Sequence, residues 1–182
     1  MRARILMAAR AAIPVAISAH ADTPASPYAG HQARSIEALS SEDIDELRTG
    51  AGMGLAKAAE LNGYPGPLHV LALAEELRLT PGQVRQVTGI RERMSAAAKP
   101  LGGEIIDREH ELDGLFAQGQ ITPERLSAET AAIGALQGRL RSVHLAAHME
   151  TRDVLTPEQL DGYRQLRGYG DQNAAPHHHP PG

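Results

Sequence analysis

Three times along this chain an apolar residue is followed by Thr-Pro: Leu79-Thr80-Pro81, Ile121-Thr122-Pro123 and Leu155-Thr156-Pro157. Each reads as a helix start. The threonine hydroxyl caps a free backbone N–H of the first turn, and proline at the first helical position gives up a donor that has no partner there anyway. In the first and third, a glutamine stands three residues after the cap, Gln83 and Gln159. That completes a capping box, in which cap and glutamine satisfy each other's backbone. In the middle one the position holds Arg125. Between starts spaced this way almost everything reads as helix. Runs of alternating β-branched residues are missing, so no sheet is expected.

Composition narrows the architecture further. At 182 residues the chain is one ordinary domain with tails. Aromatics are 3% of residues, with one Phe and no Trp. A thick core is hard to build from that, whereas thin Leu/Ala-lined helix pairs are easy. Cysteine is absent, which excludes disulfides, thiolate metal sites and cysteine nucleophiles. A net charge of −4, mixed in sign, leaves no electrostatic footprint for nucleic acid.

The first residues read as an export signal, 1–21: Arg2 and Arg4, a short apolar core from Ala11 to Ala19, and an Ala19-His20-Ala21 cleavage site. Arg10 interrupts the apolar region. That region is also too short to span a bilayer, which takes about 20 apolar residues. The expected mature protein starts near Asp22 and is soluble in a bacterial periplasm, without a lipid anchor.

An N-terminal extension, 22–66, follows. After a polar lead-in, Ser40 caps a short helix with Ile44 and Leu47 on its apolar face, ended or bent at Thr49-Gly50. A second short helix is expected over Met53 to Leu61. Gly50, Gly52 and Gly54 lack both the preceding strand and the spacing of a nucleotide loop, so no nucleotide is expected. They read as small residues that let a short helix sit close to a neighbour.

The domain 67–168 carries the long helices. A helix is expected over Leu68 to Arg78, with Val70, Leu73, Ala74 and Leu77 on one side. From Thr80, the residues Val84, Val87, Met94, Leu101, Ile105, Leu112 and Phe116 form one stripe. Pro100, followed by Gly102 and Gly103, is expected to kink that helix; a break into two helices is the alternative. Gly119-Gln120 marks a hairpin turn. From Thr122 the stripe is Leu126, Ile133, Leu136, Leu140, Val143 and Ala147. A short helix from Pro157 to Arg167 follows, with Leu160, Tyr163 and Leu166 inward. The fold class is therefore all-α: a kinked, long antiparallel helical hairpin with short flanking helices. The tail, 169–182, rich in His and Pro, has no apolar period and is expected to be disordered.

Two L-T-x-x-Q helix starts, Leu79-Thr80-Pro81-Gly82-Gln83 and Leu155-Thr156-Pro157-Glu158-Gln159, in an exported helical chain without cysteine, resemble the Spy/CpxP family of periplasmic proteins. The likeness covers Leu68 to Arg167. It implies a thin, cradle-shaped homodimer without enzymatic activity. Family members include ATP-independent chaperones, envelope-stress adaptors and metal-binding relatives such as the CnrX-type heavy-metal sensors. The implied partners are therefore a second copy, unfolded or envelope protein clients, or a membrane sensor partner. The role of the Tyr28 to Pro67 extension is not inherited from the family.

His144 and His148 are one turn apart on a single helix face, at the edge of its apolar stripe. Solvated or hydrogen-bonded edge histidines are one reading. A shared Zn, Cu, Ni or Co ion is the other. Metal relatives use His, Glu and Met from separate helices, and His69 on the preceding short helix could approach His144. Glu109 leans toward its stripe but lies near the hairpin end, far from His144, and His110 beside it points away. Met149 lies off the histidine face. His177, His178 and His179 in the tail form a loose imidazole cluster. No nucleophile–base–orienter arrangement stands out, so no catalysis is expected.

Overall fold

A computed structural model describes residues 25–169. The expected export signal and the tail histidines His177, His178 and His179 lie outside the described residues. Among those described there is no strand. A 3-10 turn at His31–Ala33 precedes α1 (Ser41–Thr49), α2 (Lys57–Glu60), α3 (Pro67–Ala72), α4 (Pro81–Ala117), α5 (Pro123–Val154) and α6 (Pro157–Leu166). The chain is all-α.

The Thr-Pro starts sit where the sequence places them. Thr80, Thr122 and Thr156 are the N-caps of α4, α5 and α6, each with proline in the first turn. Thr80 and Thr156 form full capping boxes with Gln83 and Gln159, and Ser40 forms one with Asp43 at the start of α1. The long pair α4–α5 is an antiparallel hairpin, as its cross-links show. Arg93 pairs with Glu150 and Arg108, further along α4, with Glu129, further back on α5. Helix α4 runs unbroken through Pro100, so the alternative of two helices does not hold.

Other boundaries differ from expectation. Helix α2 begins only at Lys57, because Met53 and Gly54 both take positive φ, 45° and 71°. Helix α3 ends at Ala72, after which turns lead to Arg78 at φ 51°. On α6 Tyr163 is buried, but Leu166, expected inward, is 49% exposed.

Two apolar clusters hold the molecule together. In the first, Ile36, Ile44 and Leu47 of the extension pack on Ala98, Leu101, Ile105 and Ile106 of α4 and on Leu136 and Leu140 of α5. The extension is thus part of the core. Gly102 makes that docking possible: a Cβ there would stand 2.0 Å from the Leu47 carbonyl oxygen. Among the three early glycines, only Gly50 packs closely, its added Cβ meeting Ala98 at 3.1 Å; Gly52 and Gly54 face open space. The second cluster joins Val70, Leu77, Val87, Leu155 and Tyr163, with Leu79 against it.

At that second cluster the two L-T-x-x-Q motifs clasp each other. Gln83 Nε2 donates to Gln159 Oε1 at 2.7 Å and to the Val154 carbonyl at 3.0 Å. Gln159 Nε2 donates back to Gln83 Oε1 at 3.2 Å and to the Leu77 carbonyl at 3.2 Å. Each amide caps its own helix with its oxygen and ties the other motif with its nitrogen. No helix among the described residues is long and apolar enough to cross a membrane.

Candidate metal centre

Helix α5 presents His144 and His148 one turn apart toward the side where α2 and α3 lie. There they line a cavity of about 380 Å³ together with Glu60, His69, Met94 and Gly66. Helix α2 supplies Glu60, α3 supplies His69, and α4 supplies Met94. Three of the histidines singled out by spacing and resemblance therefore share one cavity. Glu109 and His110 do not reach it, and Met149 is exposed.

His144 was expected at the edge of its stripe, yet it is only 2% exposed, because α2 and α3 cover that edge. Its Nε2 atom is buried without a hydrogen-bond partner, and so is His69 Nδ1. Burial holds the pKa of both imidazoles below 6.5, with the neighbouring His148 adding to it at His144 and Arg167 adding to it at His69. Both rings are then neutral at neutral pH, each with a free nitrogen lone pair. His148 Nδ1 donates to the Tyr64 carbonyl at 2.7 Å, which fixes its tautomer and leaves the lone pair on Nε2. Arg152 stacks on the Tyr64 ring 4.4 Å from its centroid. Gly66 gives the His148 ring its room: a Cβ there would meet Cε1 and Nε2 at 3.0 Å.

Glu60 is the charged member. It is buried, and its Oε2 accepts from the Gly66 N–H at 3.0 Å. Its Oε1 accepts from the Tyr163 hydroxyl at 2.5 Å and from the Tyr169 hydroxyl at 3.3 Å, with Arg167 Nε 3.5 Å away. Burial and this bond to a carboxylate push the Tyr163 phenol well above its usual pKa, so it stays a donor. Lys57 lines the cavity as well, which lessens its negative potential.

Among the described residues no three His, Asp or Glu side chains already stand in ion-holding geometry. The fit therefore rests on the donor set and on its unspent nitrogens. Neutral imidazoles with a carboxylate and a thioether nearby suit a borderline divalent ion such as Zn²⁺, Cu²⁺, Ni²⁺ or Co²⁺. Sequence reasoning missed Glu60, Gly66 and Met94 as members. The first two belong to the extension, and Met94 reads as one more residue of an apolar stripe. Comparison with protein-family models, with curated proteins and with solved structures gave no match.

Proposed function

We propose that this chain is a non-enzymatic, transition-metal-binding protein of the bacterial envelope, of the L-T-x-x-Q type, acting in a metal or stress response. The observation that carries the reading is the pair of buried, unpartnered imidazole nitrogens, His144 Nε2 and His69 Nδ1, in residues that line one cavity with His148. A buried polar atom without a partner is unfavourable by about 1–3 kcal/mol, and an ion on His144 Nε2 would remove that penalty there. His144, His148 and His69 would hold the ion, and its role would be that of a bound effector rather than a reactant. Two outlets follow from the same site. In one, the ion modulates chaperone-like binding of unfolded clients. In the other, it shifts helix packing and changes affinity for a membrane partner.

The test is a titration of the full chain with Zn²⁺, Cu²⁺, Ni²⁺ and Co²⁺ against a chromophoric chelator. Three proteins are compared: wild type, His144→Ala/His148→Ala, and a variant with His177, His178 and His179 all changed to Ala. Loss of the tight site in the second protein and its survival in the third are expected. Equal affinity in wild type and in His144→Ala/His148→Ala would end the proposal.

Client binding and homodimer formation have a separate support. Beyond Ile106 on α4 and before Ile133 on α5 no residue of the hairpin is buried, and Phe116 and Leu126 are 55% and 39% exposed. The exposed Phe116 and Leu126 of this otherwise charged arm are what a second copy or an unfolded client would cover.

A further inference from the structure

Glu60 stands where the cavity meets the C-terminal segment, and its carboxylate is unusually occupied. Tyr163, Tyr169 and Arg167, all from α6 and the residues just after it, converge on Oε1. On the cavity side, His69 Nδ1 lies 3.7 Å from Oε1 and His148 Nδ1 lies 3.6 Å from Oε2. The backbone N–H of Gly66 takes another acceptor site on Oε2. A carboxylate offers about four lone-pair directions, so little is left for an ion. Both imidazoles also turn the same nitrogen toward it. The opposite nitrogen of each ring, Nε2, is then the one available for coordination.

We infer that Glu60 is a positioning residue rather than an ion ligand, orienting His69 through Nδ1, while the Tyr64 carbonyl orients His148, and linking ion occupancy to the docking of the 157–169 segment. The inference rests on the metal reading above. A histidine that binds an ion through one nitrogen must carry its proton on the other, and it becomes a stronger donor there. His69 Nδ1 is now buried and beyond hydrogen-bond distance of the carboxylate. With an ion on Nε2 it becomes a stronger donor facing Glu60, the carboxylate on which Tyr163, Tyr169 and Arg167 are already held. Loading the cavity then ties α3 to the group that anchors α6.

Two measurements on the full chain separate this from the metal reading. Zn²⁺ affinity is read by chelator competition, and amide hydrogen exchange over 157–169 is read with and without Zn²⁺. In wild type, exchange there is expected to slow by about fivefold or more at saturation, the lower end of coupling between linked sites. Glu60→Gln keeps the shape but loses the charge and an acceptor. It is expected to bind Zn²⁺ about 10–100-fold more weakly and, once saturated, to lose the slowing. Tyr169→Phe removes one hydroxyl at the margin of the network. It is expected to retain the wild-type circular dichroism and show a reduced slowing, which keeps the test open should Glu60→Gln not fold. Tight Zn²⁺ binding by wild type with unchanged exchange over 157–169 would overturn the inference and leave the metal reading standing. So would a Glu60→Gln protein with wild-type affinity and wild-type slowing. Wild type that does not bind Zn²⁺ removes both.

Discussion

The Nε2 atom of His144 is buried without a partner in a wall shared by α2, α3 and α5. A leucine there would fill similar space and leave no orphan. His144→Leu is therefore expected to raise the stability of the metal-free protein by about 1 kcal/mol, or about 2–4 °C in melting temperature for a chain of this size. The same change should abolish the tight ion site. Thermal denaturation in chelator, beside the metal titration, checks both. A lower melting temperature with intact ion binding would mean that His144 is an ordinary packing residue. Spacing alone put His144 and His148 on one helix face, so this half of the site was legible. Glu60 was not, because it closes a four-residue helix whose sequence, Lys57-Ala58-Ala59-Glu60, reads as a solvated surface. The tertiary approach of α3, α5 and α6 is what surrounds that carboxylate.

Among the elements, the starts of α4 and α6 show how a local signal can hide a long-range one. The sequence reads Gln83 and Gln159 as residues that cap their own helices, and they do. Glutamate serves a capping box equally well. What demands an amide is the clasp, since each Nε2 donates to the other motif and to a backbone carbonyl. Gln159→Glu keeps the cap but removes the donors to the Leu77 carbonyl and to Gln83 Oε1. Its expected loss is about 1–3 kcal/mol, the penalty of leaving half-buried acceptors unsatisfied, measured by urea denaturation at neutral pH. A loss below about 0.5 kcal/mol would show the change to be no more than an ordinary surface substitution. Arg125, at the corresponding position of α5, makes no such clasp among the described residues. Gly102 carried a second hidden meaning. Beside Pro100 it reads as a weakness in a helix, whereas it is the point where the Leu47 carbonyl comes down on α4. A close approach between elements far apart in the chain leaves no local trace beyond the glycine itself.

For the whole molecule, burial is distributed unevenly along the hairpin. The proximal half carries both apolar clusters, with the extension on one side and α3 and α6 on another. The distal half is two helices alone, and a bare helix pair has few ways to hide its apolar residues. Phe116 and Leu126 stay largely in water there, and burying a side chain of this kind is favourable by about 1.5–3 kcal/mol. A second copy supplying that cover makes the arm's stability depend on protein concentration, because association is linked to folding by mass action. Amide exchange over 107–132 is therefore expected to slow as the protein is concentrated, while exchange around Leu136 and Leu140 changes little. Phe116→Ser should erase the concentration dependence and leave the proximal half intact. If exchange in the arm ignores concentration but slows on adding an unfolded client, the arm serves visitors and not a twin. An arm indifferent to both is a plain hairpin, and the homodimer and chaperone proposals then fall together, while the histidine cavity at the other end keeps its own test.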